Sequence, residues 1–196
     1  DVRIVSNPRD GHRFYATLFH EYGHALHACL VKQRHYPLKW DVGCFCEGTA
    51  TILQHFTADP DWLRVNTPLS EQEINRFVKA TRASLLLRLR SLMALSVFEF
   101  QAYENLDKDL NKVWSRTSTR YLFVSENLTP LWASQSFYTT HPVYVQNYIL
   151  AELIAAQTIQ HLKEKYGQLL NNSRIADFLI QNYYGPGSSV DWPKKV

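Results

Sequence analysis

The stretch that decides the fold lies near the beginning of the chain and reads Phe19-His20-Glu21-Tyr22-Gly23-His24. It stands within residues 12–33, where apolar side chains recur at helical spacing and proline is absent. Successive residues of an α-helix are turned by about 100°, so His20 and His24 point the same way, one turn apart. The pattern therefore predicts a helix over residues 12–33 that presents two imidazoles on one face.

Two histidines in an H-E-x-x-H pattern on a helix are typical of a zinc site. Glu21 lies about 100° round the helix from His20, where it need not be a ligand and can take a proton from a water molecule. Gly23 leaves room beside the metal. We therefore predict that His20 and His24 bind zinc and that Glu21 acts as a general base.

A catalytic zinc ion needs a third protein ligand, and the nearest histidine does not supply it. His27 lies on the same stripe, but seven residues span about 10.5 Å of helix, too far for one ion. We expect it to act around the metal, to face substrate or to be structural. The pattern H-E-x-x-H-x-x-G-x-x-H is also absent, because Leu30 stands where its third histidine would be.

Glu47 is the best candidate for the third ligand. It opens a second predicted helix, from Phe45 or Cys46 to Phe56, which can fold back against the first. The competing ligands in this region are Asp41, Cys44, Cys46 and His55. A Cys-x-Cys pair can bind metal, but the sequence lacks the second pair of a structural zinc site, so buried small side chains are favoured.

The rest of the chain predicts an all-α fold. It has 7 glycines and 8 prolines in 196 residues, and no glycine between Gly48 and Gly167, which disfavours the tight turns of a β-sandwich or barrel. Thr67-Pro68-Leu69-Ser70 predicts a helix start, and the helix that follows turns apolar on nearly every side over residues 85–98, so we expect both faces to be buried there. Further helices are predicted over residues 107–121, 143–166 and 173–183, followed by a disordered tail from Gly185.

Composition excludes several classes of protein. The formal charge is +3, from 21 basic and 18 acidic residues, which is too balanced for a nucleic-acid surface. The most apolar stretch, Leu85 to Phe98, contains Arg88 and Arg90, so no membrane span is expected. The 3 cysteines form no disulfide framework and no signal peptide opens the chain, so we expect a reducing, cytoplasmic location.

The motifs resemble those of a known family. Residues 17–27, Thr17-Leu18-Phe19-His20-Glu21-Tyr22-Gly23-His24-Ala25-Leu26-His27, resemble the zinc helix of the thimet oligopeptidase and oligoendopeptidase F peptidases. Residues 46–51, Cys46-Glu47-Gly48-Thr49-Ala50-Thr51, fall where that family, like other gluzincins and more distantly angiotensin-converting enzyme, has its glutamate ligand. Residues 137–148 are similar to the family segment that carries a substrate-binding histidine and tyrosines.

The resemblance implies a zincin-like helical catalytic domain over residues 1–196, the C-terminal part of a longer peptidase. One zinc ion would be bound by His20, His24 and Glu47, and the substrate would be an oligopeptide. Tyr148, helped by His141 or Tyr144, would stabilise the oxyanion. Tyr144 and Tyr148 stand four residues apart in the predicted helix over 143–166, so their phenols share a face.

Two alternatives stay open from the sequence. The chain could be a catalytically inactive helical module that binds zinc and peptides but lacks the N-terminal channel wall of the family. It could also be a structural helical domain in which the motif occurs by chance. The oligomeric state, the cleavage specificity and the choice between endo- and exopeptidase action are not predicted.

Overall fold

A computed structural model describes residues 1–105 and 107–196 of the chain. Within these residues 71% are helical and none belongs to a β-strand, so the predicted all-α fold is confirmed. The helices are α1 (His12–Leu30), α2 (Gly43–Phe56), α3 (Pro60–Asn66), α4 (Glu71–Glu104), α5 (Leu110–Leu122), α6 (Phe137–Thr140), α7 (Gln146–Tyr166) and α8 (Ser173–Phe178). A π-helical turn, Leu179–Tyr184, continues α8.

The contacts of the backbone divide the chain into two compact units. The first unit comprises Asp1–Lys79 and Leu150–Val196, and the second comprises Ala80–Ile149. The long helices α4 and α7 each contribute to both units. Whether the whole chain acts as a single catalytic domain stays a prediction.

The core of the first unit forms where α2, α7 and the C-terminal helices bring their apolar faces together. Its fully buried members are Phe45, Ile52, Ile154, Ala155, Leu162, Leu169, Ile175, Leu179, Tyr183 and Tyr184. Glu47 lies about 200° round α2 from Phe45, so burial of Phe45 and Ile52 in this core turns Glu47 toward the other side of the helix, which is also buried.

The second unit has a smaller, aromatic core. Phe98 of α4 packs against Trp114 of α5, with the ring of Trp132 on a further side. Two of its aromatic side chains are anchored by hydrogen bonds: Trp132 Nε1 donates to Asn111 Oδ1 (2.9 Å), and Tyr138 Oη donates to the Leu95 carbonyl (3.1 Å).

Side-chain caps explain where several helices begin. The helix start predicted at residues 67–70 is confirmed, and Ser70 and Glu73 form a reciprocal cap there: the Ser70 N–H donates to Glu73 Oε2 (2.8 Å) and the Glu73 N–H to Ser70 Oγ (3.4 Å). Asp59 caps α3, whose first residue is Pro60, so the Asp59-Pro60 pair both follows α2 and starts a short helix that the sequence analysis does not predict.

Two expectations about packing are wrong. Leu86 and Leu87 are 63% and 67% exposed, because the apolar partners of α4 in the second unit gather around Leu95 and Phe98 and leave its earlier turns uncovered. The predicted disordered tail is ordered: it forms 3₁₀ turns at Gly187–Ser189 and Trp192–Lys194, and Lys195 is buried.

Across residues 1–105 and 107–196, no helix combines the length and the apolar character that crossing a membrane requires.

Candidate metal centre

α1 brings two imidazole nitrogens together. His20 and His24 stand one turn apart, and their Nε2 atoms lie 3.1 Å from each other. The two rings meet edge to face, with centroids 4.8 Å apart and an interplanar angle of 85°. The helical spacing predicted from the sequence therefore makes both nitrogens converge on one point beside the helix.

α2 adds a carboxylate at the same point. Glu47 Oε2 lies 3.2 Å from His20 Nε2 and 3.6 Å from His24 Nε2. Within the described residues, His20, His24 and Glu47 form the one group of three or more such side chains whose ligand atoms converge closely enough for a metal ion. We call these three residues the metal group.

The metal group has the size and donor set of a zinc site. Ligands at 2.0–2.1 Å in a tetrahedron lie about 3.3 Å from one another, and the three observed separations are 3.1, 3.2 and 3.6 Å. Two imidazole nitrogens and one carboxylate oxygen leave the fourth position for water or substrate, as in catalytic zinc sites. The side chain of His24 is 34% exposed, so solvent reaches the group.

A close crossing of α1 and α2 produces this geometry. A Cβ atom added at Gly23 would overlap the Cα of Ala50 and would stand 3.1 Å from its Cβ. Gly23 lies between the two histidines in the sequence, and Ala50 lies one turn after Glu47. The missing side chain of Gly23 therefore makes room for the second helix. The expectation that it leaves room beside the metal is wrong.

Glu21, the predicted general base, lies on α1 directly after His20 and is half-buried. Its side chain lines a cavity of about 340 Å³, together with Thr17 one turn earlier and with the segment that precedes α1. Within the described residues, the side chain of Glu21 makes no hydrogen bond or ion pair. Its carboxylate is thus exposed to whatever enters that cavity.

His27 and Asp41 belong to a separate arrangement with the C-terminal tail. Lys195 Nζ donates to Asp41 Oδ1 at 2.7 Å, and His27 Nε2 lies 3.1 Å from Asp41 Oδ2. A carboxylate only accepts, so the Nε2 atom of His27 carries the proton. These three residues, which we call the buried charge cluster, have side chains only 6%, 2% and 1% exposed for His27, Asp41 and Lys195.

The chemistry of the buried charge cluster keeps Asp41 ionised. Burial alone would raise the pKa of Asp41, but the hydrogen bonds from His27 and Lys195, with the charge of the lysine, lower it below its usual value. Lys195 Nζ also stands 4.4 Å from the centroid of the Phe45 ring. Asp41 is therefore held as the partner of a lysine in the core, away from the metal group.

The other competing ligands also have structural roles. Cys46 Sγ donates to the Asp41 carbonyl at 3.3 Å, and burial, followed by the charges of Asp41 and Glu47, raises the pKa of its thiol to about 11. Cys44 is buried, as expected for a small core side chain. His55 Nε2 lies 2.6 Å from Glu152 Oε2 on α7.

In the second unit, the late motif folds into an aromatic cluster of Phe137, His141, Tyr144 and Tyr148. The Phe137 ring is stacked with Tyr144 at an interplanar angle of 9°, and Tyr148 meets Tyr144 edge to face with centroids 5.6 Å apart. The His141 ring lies 5.8 Å from that of Tyr144. The three predicted residues are thus brought together, and we call this set the tyrosine cluster.

The prediction that Tyr144 and Tyr148 lie on one face of the same helix is wrong. α7 begins at Gln146, so Tyr144 precedes the helix and does not share a helical face with Tyr148. Val143 adopts a left-handed conformation with φ of 56°, and its N–H donates to Glu99 Oε1 at 2.7 Å. This buried glutamate holds the turn that brings Tyr144 onto Tyr148, which is why a helix start at residue 143 is not adopted.

Comparison with known proteins agrees with this geometry. The model of "Peptidase family M3" matches residues 9–177, well over half of the chain, and this range includes the metal group and the tyrosine cluster. The chain belongs to peptidase family M3. No curated protein gives a match to it.

The family assignment confirms the resemblance to thimet oligopeptidase-like enzymes. Peptidases of family M3 are zinc-dependent metallopeptidases that act on peptide substrates, and the donor set and spacing of the metal group suit that ion. The alternative of an inactive zinc-binding module is not favoured by this membership.

Two buried charged residues, Lys195 and Glu99, were not predicted from the sequence; they hold Asp41 and the turn at Val143. The tail that begins at Gly185 contains Val190 and Trp192 before Lys195, an apolar content that argues against disorder. Glu99 stands between two phenylalanines in an apolar stretch of α4, a pattern that indicates a buried carboxylate with a specific partner.

Proposed function

We propose that the chain is a zinc metalloendopeptidase that hydrolyses peptide bonds within oligopeptides. One observation carries the proposal: three ligand atoms from an H-E-x-x-H helix and its neighbour converge with separations of 3.1 to 3.6 Å in a chain that matches family M3. We expect one zinc ion per chain, held by His20, His24 and Glu47. We also expect the enzyme to act in the cytoplasm, since its three cysteines are all free.

The metal would supply one part of the chemistry. When bound, zinc acts as a Lewis acid toward the scissile carbonyl and lowers the pKa of bound water to about 7. The chain supplies the proton transfers. The Glu21 carboxylate accepts the proton of the attacking water and then donates it to the nitrogen of the leaving amine.

The tyrosine cluster would stabilise the oxygen that becomes negative. Tyr148 donates a hydrogen bond from its hydroxyl to that oxygen, with His141 or Tyr144 as a second donor. Because the ring contacts among Phe137, Tyr144 and Tyr148 restrict the side-chain rotamers, the donors are oriented before the substrate arrives. The resemblance of residues 137–148 to the family segment supports these roles.

The substitution Glu21→Gln tests the mechanism, because it removes the proton acceptor and keeps the size of the side chain. We expect hydrolysis of internally quenched peptides to fall by a factor of about 10² to 10⁴ while the zinc content, measured by atomic emission, stays at one per chain. Peptides blocked at both termini should be cleaved by the unchanged chain if it is an endopeptidase.

Glu104→Gln is the matched control, since Glu104 is an exposed glutamate at the end of α4. It should leave turnover unchanged. Turnover of Glu21→Gln at the rate of the unchanged chain would contradict the mechanism, and zinc binding without any turnover in the unchanged chain would indicate a non-catalytic module instead.

A further inference from the structure

The cavity that contains Glu21 extends away from the metal group along α1. Its helical wall includes Arg13, Thr17 and Glu21, which are spaced by four residues and so share one face of the helix, and Phe14 beside Arg13. Residues of the segment before α1, among them Arg9, also line the cavity. If Glu21 is the general base, as proposed above, one end of the cavity lies where the peptide bond is attacked.

Two guanidinium groups line the remainder of this cavity, which has a volume of about 340 Å³. Arg9 and Arg13 are exposed, and in the part of the chain that the structure describes neither of them forms an ion pair or a side-chain hydrogen bond. Apart from Glu21, the one acidic side chain of the lining is Asp10, which is also exposed. The end of the cavity remote from Glu21 therefore presents two cations against one anion.

The distances fit an extended peptide. Arg13 precedes Glu21 by eight residues, which correspond to about 12 Å of α-helix. An extended chain advances about 3.3 Å per residue, so a peptide lying along α1 reaches Arg13 within about four residues of the attacked bond. The long side chain of arginine reduces the number of residues needed.

We infer that this cavity binds a carboxylate of the peptide substrate through Arg13 and Arg9, two to four residues from the scissile bond. The guanidinium group is suited to the task, because its planar donors match a carboxylate in a bidentate arrangement. The carboxylate belongs either to an aspartate or glutamate side chain or to the C-terminus of the peptide. Asp10 weakens the preference for acidic peptides, since its carboxylate repels the carboxylate of the substrate.

Matched peptides distinguish the two sources. One quenched series carries Glu or Gln at each of the second to fourth positions on either side of the cleaved bond, and a second series has a free or an amidated C-terminus. We expect kcat/KM to be about fivefold higher for the acidic member at one position, mainly through a lower KM, a modest factor because the arginines are solvent-exposed. The preference should shrink as salt is raised.

Removing a positive charge from the cavity should weaken the preference for acidic peptides, and removing its negative charge should strengthen it. Arg13→Gln and Arg9→Gln are expected to reduce the acidic-to-neutral ratio of kcat/KM toward one, and the double variant should abolish it. Asp10→Asn should raise the ratio about twofold. Arg76→Gln, at an exposed position of α4 that does not line the cavity, should leave the ratio and the overall activity unchanged.

A binding measurement separates this inference from the proposed function. Fluorescence anisotropy gives the dissociation constants of the same peptide pairs on zinc-loaded Glu21→Gln. If the unchanged chain cleaves neutral peptides but neither turnover nor binding favours the acidic member, the inference is wrong and the peptidase proposal stands. If no peptide is cleaved but binding favours the acidic member and Arg13→Gln removes that preference, carboxylate binding by the cavity stands and the peptidase proposal fails, together with the position assigned relative to a scissile bond.

Discussion

Two polar clusters each contain histidine from α1 and differ in what completes them. The metal group joins His20 and His24 of α1 to Glu47 of α2, and the buried charge cluster joins His27 of α1 to Asp41, just before α2. Each cluster thus pairs histidine with a carboxylate at similar distances. His20 and His27 even belong to the same stripe of α1.

The difference lies in the third partner and in access to solvent. Asp41 is completed by the ammonium group of Lys195 at 2.7 Å, and every side chain of that cluster is shielded from water. In the metal group the three converging atoms are all electron-pair donors, and His24 is partly exposed. A cluster that contains a lysine of the chain itself is a structural element, whereas converging donors that solvent can reach form a candidate metal site.

The largest effect should come from removing the carboxylate of the metal group. Glu47→Ala is expected to weaken zinc binding by more than ~100-fold, since losing even an outer hydrogen bond to a ligand costs about 10- to 100-fold. Zinc titration with a competing chelator measures the change. Cys46→Ala, at the neighbouring position, should keep one zinc per chain, and equal losses in both variants would contradict the choice of Glu47.

Lys195→Met should give the opposite pattern, with zinc retained and stability lost. It leaves the Asp41 carboxylate buried without its lysine, and breaking a buried pair in this way costs about 3 to 5 kcal/mol. Urea unfolding gives the change in the free energy of unfolding. The matched control is Lys194→Met, because Lys194 is 75% exposed and its loss should cost less than about 0.5 kcal/mol.

A double variant tests whether the lysine acts through Asp41. Asp41→Asn combined with Lys195→Met removes both charges, so the combined loss of stability should be clearly smaller than the sum of the single losses. Additive losses would show that Lys195 stabilises the tail through other contacts, such as its position over the Phe45 ring.

Gly23→Ala should disturb both clusters, because it pushes α1, which carries the histidines of both, away from α2 and from Asp41 just before it. Alanine favours a helix over glycine by about 1 kcal/mol, but overpacking costs about 1 to 3 kcal/mol, and here the new Cβ meets the backbone of Ala50, which cannot turn aside. We expect a net loss of stability of about 1 to 2 kcal/mol and about tenfold weaker zinc binding.

Ala28→Ser, at an exposed position of the same helix, is the control for Gly23→Ala and should alter neither quantity measurably. Zinc binding and unfolding are measured on both variants in parallel. Unchanged zinc affinity in Gly23→Ala would show that the close crossing does not control the metal group.

The smallest effect should be a pH dependence that belongs to the buried charge cluster. The pKa of Asp41 is lower in the folded chain than in the unfolded one, so the unfolded chain takes up a proton first as the pH falls. The stability that Asp41 contributes is complete above its unfolded value of about 4 and is lost as the pH falls through its folded pKa. Urea unfolding measures the difference in the free energy of unfolding between the unchanged chain and Asp41→Asn. This difference should be constant from pH 7 to 5 and should become smaller below pH 4. A difference that grows below pH 4 would contradict the prediction.

Much of the fold follows from local sequence because helices satisfy their own backbone hydrogen bonds. The start of α4 at Ser70 and the end of α7 before Gly167 are predicted within a few residues, since their caps are local. The first residue of α7 was not predicted correctly. The Val143 N–H donates to Glu99, more than forty positions away, and this contact holds Val143 in a turn instead of a helix start. The exposure of Leu86 was not predicted either, because it depends on which parts of α4 are covered by residues far away in the sequence.

The sequence by itself determined the H-E-x-x-H helix, the all-α architecture and the resemblance to the family, since all three depend on residue types at short spacing. Only the tertiary structure decided which acidic side chain meets His20 and His24, and that Asp41 is instead neutralised by a lysine 154 positions later. The physical reason is that side chains far apart in the chain are brought together by helix packing, here by a crossing at Gly23 and Ala50 that no local pattern encodes.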